Sequence, residues 1–346
     1  MAYTTINKPS EYFNTVLYTG NATGRTISGV GFQPDWTWIK NRSDTSGHRV
    51  LDVVRGGTKE LIANGTNAEI TEAQSLQSWN SDGFVLGTAA GVNANTDNFV
   101  SWNWKANGAG VSNTDGDINS TVSANTTSGF SIVNYTGTLS GSGNPTVGHG
   151  LGVAPAVIII KSASSGENWG VQHTSLPANY LLQLNTTSAQ IDSASQGTLT
   201  APTSSVFTVN YSGEWGNSGQ NYIAYCFAEK KGFSKFGSYV GNGSTNGVFC
   251  YTGFKPAFII TKKTSATDNW ILLDNKRDIA PNPHKLALFP NLADAEAGDY
   301  LTDFLSNGFK IRSATGSLNT VSASYIYMAF AENPLVGTNN IPATAR

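Results

Sequence analysis

The chain reads as an all-β protein made of three tandem β-sandwich, jelly-roll-like repeats of about a hundred residues each. Three observations predict this. Two sequence anchors recur three times in step, short aromatic and β-branched runs alternate with a period of two, and glycine (37 copies) with Ser, Thr and Asn fills the stretches between them.

The first anchor is a Gly-x-x-Pro turn leading into a strand: Gly31-Phe-Gln-Pro34 before Asp35-Trp-Thr-Trp-Ile-Lys40, Gly152-Val-Ala-Pro155 before Ala156-Val-Ile-Ile-Ile-Lys161, and Gly253-Phe-Lys-Pro256 before Ala257-Phe-Ile-Ile-Thr-Lys262. Proline is tolerated there because strand entry needs no donor. The second anchor closes each repeat: Asn98-Phe-Val-Ser-Trp-Asn-Trp-Lys105, Asn221-Tyr-Ile-Ala-Tyr-Cys-Phe-Ala-Glu229 and Ser324-Tyr-Ile-Tyr-Met-Ala-Phe-Ala-Glu332. Pro34 to Pro155 is 121 positions and Trp104 to Phe227 is 123; Pro155 to Pro256 is 101 and Phe227 to Phe330 is 103. The openings correspond too, as Leu17-Tyr-Thr-Gly20, Asn134-Tyr-Thr-Gly137 and Ser238-Tyr-Val-Gly241.

These registers set the organisation: an N-terminal segment 1–11, repeats at 12–106, 128–231 and 234–334, a Gly/Asn/Ser/Thr-rich linker or extended crossing at 107–127, and a tail at 335–346. Within a repeat, Trp36, Trp38 and Lys40 alternate with Thr37 and Ile39, and Phe99, Ser101 and Asn103 with Val100, Trp102 and Trp104, which gives each sheet two different faces. Ile158-Ile-Ile160 reads as buried on both sides. Alternation predicts Ile39, Ile160 and Ile260 in the core, with Lys40 and Lys161 reaching solvent or a partner. Asp82-Gly-Phe84 and Asn307-Gly-Phe309 read as tight turns feeding a strand, and Leu292–Ala297 as one or two helical turns.

Charged residues are 13% of the chain and the net charge is −2, so the Lys/Arg field that phosphate recognition needs is missing and no nucleic-acid partner is expected. No run approaches the ~18 apolar residues of a membrane helix, and the first residues lack the apolar stretch of a signal peptide, so neither membrane insertion nor signal-directed export is expected. Cys226 and Cys250 sit in strand-like runs and read as small buried hydrophobes, a disulfide between adjacent repeats being the alternative.

Chemistry-bearing groups are sparse. His48, His149, His173 and His284 have no metal-ligand spacing, and no cofactor or metal is expected. The outer repeats share Leu51-Asp52-Val-Val-Arg55 and Leu273-Asp274-Asn-Lys-Arg277; an Asp and an Arg three apart satisfy each other's hydrogen bonds and fix a loop, or contact a ligand or subunit. Glu167, Glu214, Asp268, Asp274 and Asp278 are the carboxylates a glycosidase would draw on, but they form no motif, so no enzyme is expected. Trp169, Trp215 and Trp270 are the rings best placed to stack on a sugar if exposed, core packing being their other reading.

The strings Gly31–Ser43, His48–Gly56, Ser101–Lys105, Gly129–Gly137, Val147–Pro155, Ala329–Pro334 and Thr344–Arg346 together resemble a repeat domain of structural proteins in tailed bacteriophages, over nearly the whole chain. The resemblance implies a virion protein of tail-fibre or capsid-decoration type, made in the host cytoplasm and released by lysis. Its implied partners are other virion proteins, further copies of itself with a trimer as the expected homo-oligomer, and a host-surface glycan; the runner-up is a carbohydrate-binding or polysaccharide-depolymerising module. The second repeat departs from the pattern, with Val171-Gln-His-Thr-Ser175 in place of Leu-Asp-x-x-Arg. Tyr3, Tyr12, Phe13 and Ile341 lie in or beside the terminal segments outside the repeats; at least one of these segments is expected to dock on another subunit or another virion protein, the alternative being that each end folds back onto its own sandwich.

Overall fold

A computed structural model describes residues 3–141, 143–210, 214–278 and 282–339. It is nearly all β, 43% strand and 4% helix, in several antiparallel sheets. Three large sheets carry the molecule. The first runs in the spatial order Phe13–Thr19, Asn98–Trp104, Trp36–Asn41, Arg49–Asp52, Lys59–Ile62, Ile70–Thr71. The second is Val111–Asn113, Ser120–Asn125, Phe130–Thr136, Asn221–Phe227, Val157–Ser162, Gly170–His173, Tyr180–Gln183, Ile191–Asp192, and the third is Ser234–Val240, Ser324–Pro334, Phe254–Lys263, Trp270–Asp274. One quartet recurs in all three: the opening strand, the closing strand, the strand entered at Gly-x-x-Pro (in the third sheet it begins at Phe254, with Pro256 at a shift in its register), and the strand after that.

Each large sheet packs one face on a small sheet, and the two together are called a unit below. Strands Arg25–Ile27, Gly83–Leu86 and Leu76–Asn80 cover the first, Thr146–Gly148 with Val206–Thr208 the second, and Phe249–Tyr251, Gly308–Ile311 and Thr302–Leu305 the third. Three separate cores lie between the layers, around Phe84 and Phe99, Tyr135 and Phe207, and Tyr325 and Phe309. The opening-strand tyrosine anchors each of them by donating its hydroxyl across the layer: Tyr18 to Val92 O (2.7 Å), Tyr135 to Trp215 O (2.7 Å), Tyr239 to Leu318 O (2.9 Å). Two hairpins of the small sheets turn at Gly83 and Gly308, where a Cβ would stand 2.0 Å from Ile27 O and 2.1 Å from Cys250 O, so a neighbouring strand can approach only glycine.

The opposite faces of the three large sheets meet in one further core. Trp36, Trp38, Trp102 and Trp104 of the first sheet pack with Phe130, Ile159, Tyr225 and Phe227 of the second and Phe258, Ile326 and Phe330 of the third. The matching closing-strand residues Trp104, Phe227 and Phe330 touch pairwise, with ring centroids 6.3 Å (Trp104 to Phe227), 5.8 Å (Phe227 to Phe330) and 5.6 Å (Phe330 to Trp104) apart. Both faces of every large sheet are therefore dry at the centre of the molecule.

This shared core corrects several expectations. Ile39, Ile160 and Ile260 are buried, although Ile260 faces the shared core and the other two face their own sandwiches. Lys40 and Lys161 do not reach solvent; they are 0% exposed, because the face they stand on is covered by a neighbouring unit. Residues 107–127 are more than a linker, since Val111–Asn113 and Ser120–Asn125 extend the second sheet at its edge. No helix forms at Leu292–Ala297: Ala297 exchanges backbone hydrogen bonds with Ala287, so tertiary pairing overrides local helix propensity. Cys226 and Cys250 are unpaired and buried in different sandwich cores.

The N-terminal segment folds onto its own chain. Ile6 is 2% exposed in the shared core, the Tyr3 hydroxyl donates to Gly253 O (2.9 Å), Tyr12 stands edge-on to Phe233, and Phe13 lies against Trp104, Phe258 and Phe330. Tyr3, Tyr12 and Phe13 thus find partners on the chain itself, as in the fold-back alternative. Ile341 lies outside the described residues.

Candidate functional site

The fourth strand of each quartet ends at the seam with the next unit, and the Asp-x-x-Arg pairs stand there. Asp52 Oδ1 accepts the backbone N–H groups of Val54 and Arg55 (3.0 and 2.9 Å), which shapes the turn, and Asp274 Oδ1 does the same for Lys276 and Arg277 (both 3.0 Å). The other oxygen faces two partners. Asp52 Oδ2 accepts Arg55 Nε (2.7 Å) and the hydroxyl of Tyr225 from the second unit (2.8 Å); Asp274 Oδ2 accepts Arg277 Nε (2.6 Å) and Trp102 Nε1 from the first (3.0 Å).

The second unit supplies the same link by other chemistry. His173 Nδ1 accepts the Ser175 N–H (3.0 Å), leaving Nε2–H to donate to Tyr327 O of the third unit (3.1 Å). Burial holds this imidazole neutral, its pKa lowered to about 4, with the Tyr327 carbonyl partly opposing. Each unit is thereby tied to the next around a closed ring: first to second, second to third, third to first.

One more ring repeats the pattern, and a further set of bonds spans two of the three seams. Glu69 N–H donates to Ala163 O (2.9 Å), Gln190 N–H to Thr264 O (3.0 Å) and Glu296 N–H to Arg42 O (3.1 Å). Trp169 Nε1 donates to Ile62 O and Trp270 Nε1 to Gln183 O, both at 2.9 Å, while His48 fills the third place near Phe289, its Nε2 without a hydrogen bond of good geometry. Trp169 and Trp270 are therefore seam residues and Trp215 a sandwich-core residue, at 1%, 4% and 0% exposure; none can stack on a sugar.

The lysines of the first anchor belong to the same seams. Lys40, Lys161 and Lys262 each donate Nζ to the carbonyl of the following residue (2.6 Å) and to a second carbonyl, of Asp44, Ser165 and Thr187 respectively. Burial lowers each to about 8, nearby carboxylates opposing it. Nothing in the repeat spacing alone separated these lysines from exposed ones; the signal was that large apolar residues stand on both faces beside them, Trp36 and Trp38 on one and Ile39 on the other.

Among the carboxylates the sequence singled out, burial raises Glu214, and the charge of nearby Glu167 adds to that; Gln183 hydrogen-bonds Glu214. Asp268 pairs with Lys263 (2.6 Å) and Asp278 accepts the Lys285 N–H (2.8 Å), so each serves a local contact. Among the described residues no cluster of three or more His, Cys, Asp or Glu is arranged to hold a metal ion, and no helix is long and apolar enough to cross a membrane.

The seam between the first and second units opens into a polar cleft of about 600 Å³. Its floor is the face of the second sheet on which Ser112, Thr121 and Asn134 stand directly opposite one another, followed one step along the strands by Thr136 and Asn221. Val54, Arg55 and Glu69 of the first unit form the wall. Arg55 Nη1 donates to Glu69 Oε2 (3.0 Å), so the wall's charges are paired. The residues 107–127 that build half of this floor have a composition that hides their strands.

A family model described as a domain of unknown function (DUF7483) matches residues 8–334. Neither the curated proteins nor the solved structures contain a match to the chain.

Proposed function

Because this chain belongs to the DUF7483 family, whose match spans all three units, we propose from its architecture that it is a non-catalytic structural and attachment protein of a tailed-phage particle, built from three tandem jelly-roll-like sandwich repeats. The observation that carries this reading is the use made of its charged and aromatic side chains. Asp52, Arg55, Asp274, Arg277, Trp169 and Trp270 hold unit to unit in the seams, which favours a rigid body over a reactive centre. The neutral, hydroxyl- and amide-rich surface fits a part that meets other virion proteins, further copies of the chain, and host-surface glycans. The resemblance of Gly31–Ser43, Ser101–Lys105 and Ala329–Pro334 to phage structural repeats supports the virion location.

An antibody raised against the purified chain, gold-labelled and imaged on particles from lysates of a host that encodes it, tests the location. Gold on the head or tail is expected; antigen confined to the particle-free supernatant contradicts it. Incubation with host envelope polysaccharide should release no new reducing ends, and their appearance would favour the depolymerase reading.

A further inference from the structure

We infer that the cleft between the first and second units is a binding site for a neutral oligosaccharide. Its chemistry is that of a hydroxylated, uncharged ligand. Ser112, Thr121 and Asn134 form one row across three adjacent strands, and Asn119, Thr136 and Asn221 form the next, giving amide and hydroxyl groups that both donate and accept. Among the described residues no hydrogen bond engages the side chains of Ser112, Thr121 or Asn134, so their polar atoms are available to a ligand. The volume, about 600 Å³, lies within the ~300–1,000 Å³ of small-molecule sites.

The charges argue against an anionic ligand. Arg55 is engaged by Asp52 (2.7 Å) and Glu69 (3.0 Å), and Lys59 lies 3.5 Å from Glu69. At the corresponding place in the seam from third to first unit, Glu296 is bridged by Arg42 and Arg277 (2.8 and 2.7 Å), whereas Arg42 is replaced by Ala163 at the cleft, which leaves room where a guanidinium would stand. The site is also peculiar to one unit: the position of Asn134 is Leu17 in the first unit, and the two extra strands that widen the floor occur in the second alone among the described residues. Tyr135 lends the cleft no stacking face, because its ring stacks on Tyr222 inside the second sandwich, at 5.3 Å. Recognition therefore rests on hydrogen bonds.

This deepens the attachment part of the proposed function. The test is saturation-transfer NMR on the full chain with maltotriose, cellotriose, mannotriose and triacetylchitotriose, repeated on Thr121→Trp, which fills the floor from an exposed position, and on Asn134→Ala. Saturation transfer to at least one trisaccharide is expected, weakened about tenfold or more in both variants while the thermal melt is unchanged. No transfer to any of the four, or transfer undiminished in Thr121→Trp and Asn134→Ala, overturns the site. Particle labelling that succeeds while all four sugars fail sinks the cleft and leaves the virion role standing.

Discussion

Asp52 is 0% exposed and carries four hydrogen bonds, to two turn amides, the Arg55 guanidinium and the Tyr225 hydroxyl. Removing the buried carboxylate leaves Arg55 with Glu69 as its one remaining carboxylate and strips two turn amides and Tyr225 of their acceptor, a cost within the range of about 3–5 kcal/mol for a broken buried pair. Asp52→Ala is therefore expected to lose most of that in denaturant unfolding, and a loss under ~1 kcal/mol would show that Arg55 has other adequate partners. His173 makes a pH prediction. Unfolded, its imidazole takes a proton at its ordinary value of 6.5, while in the fold it does so only near 4. Between those values the unfolded state binds more protons, so stability falls as pH drops from 6.5 towards 4, at up to about 1.4 kcal/mol per pH unit for this group. Against the wild type, His173→Gln should flatten the stability–pH curve over that window; an unchanged slope would exclude the residue as its source. The Asp-x-x-Arg spacing made the local clamp legible in the sequence. Its third partner was not, because Tyr225 and Trp102 lie 173 and 172 positions away from the carboxylates they bind.

Strands were legible wherever two chemically distinct faces alternate, as in Trp36–Asn41, and where Gly-x-x-Pro marks an entry. They were hidden where composition mimics a loop, as in Val111–Asn113 and Ser120–Asn125, whose pairing follows from register with Phe130–Thr136 and not from apolar content. The contacts of the N-terminal segment were hidden for a related reason: a short stretch holding Tyr3 and Ile6 cannot bury them by itself, Tyr3 bonds Gly253, 250 positions on, and Ile6 joins the core shared by all three sheets. Ile6→Ala should consequently destabilise the whole chain by about 2–5 kcal/mol, as for other large-to-small core changes. An unfolding midpoint equal to wild type would instead mean that the segment is dispensable to the body and free for assembly.

In the whole molecule, three units close around one shared core, and seam hydrogen bonds link each to the next. Anchor spacing made legible the strand quartet that recurs in the three large sheets; it could not reveal that these sheets face inward, since a covered outer face and a solvated one differ only in whether both alternating sets are apolar. If the ring is closed, the seam groups are reached by solvent only when the shared core opens, and opening it undoes every unit at once. The indole N–H protons of Trp102, Trp169 and Trp270 report on this directly, because each is donated across a different pair of units, to Asp274, Ile62 O and Gln183 O. Measured by hydrogen exchange with NMR detection, all three should exchange with the same opening free energy, equal to that of global unfolding. Exchange of any one at a much lower free energy, while the backbone amides of its own unit stay protected, would show units that separate independently and would contradict the closed ring.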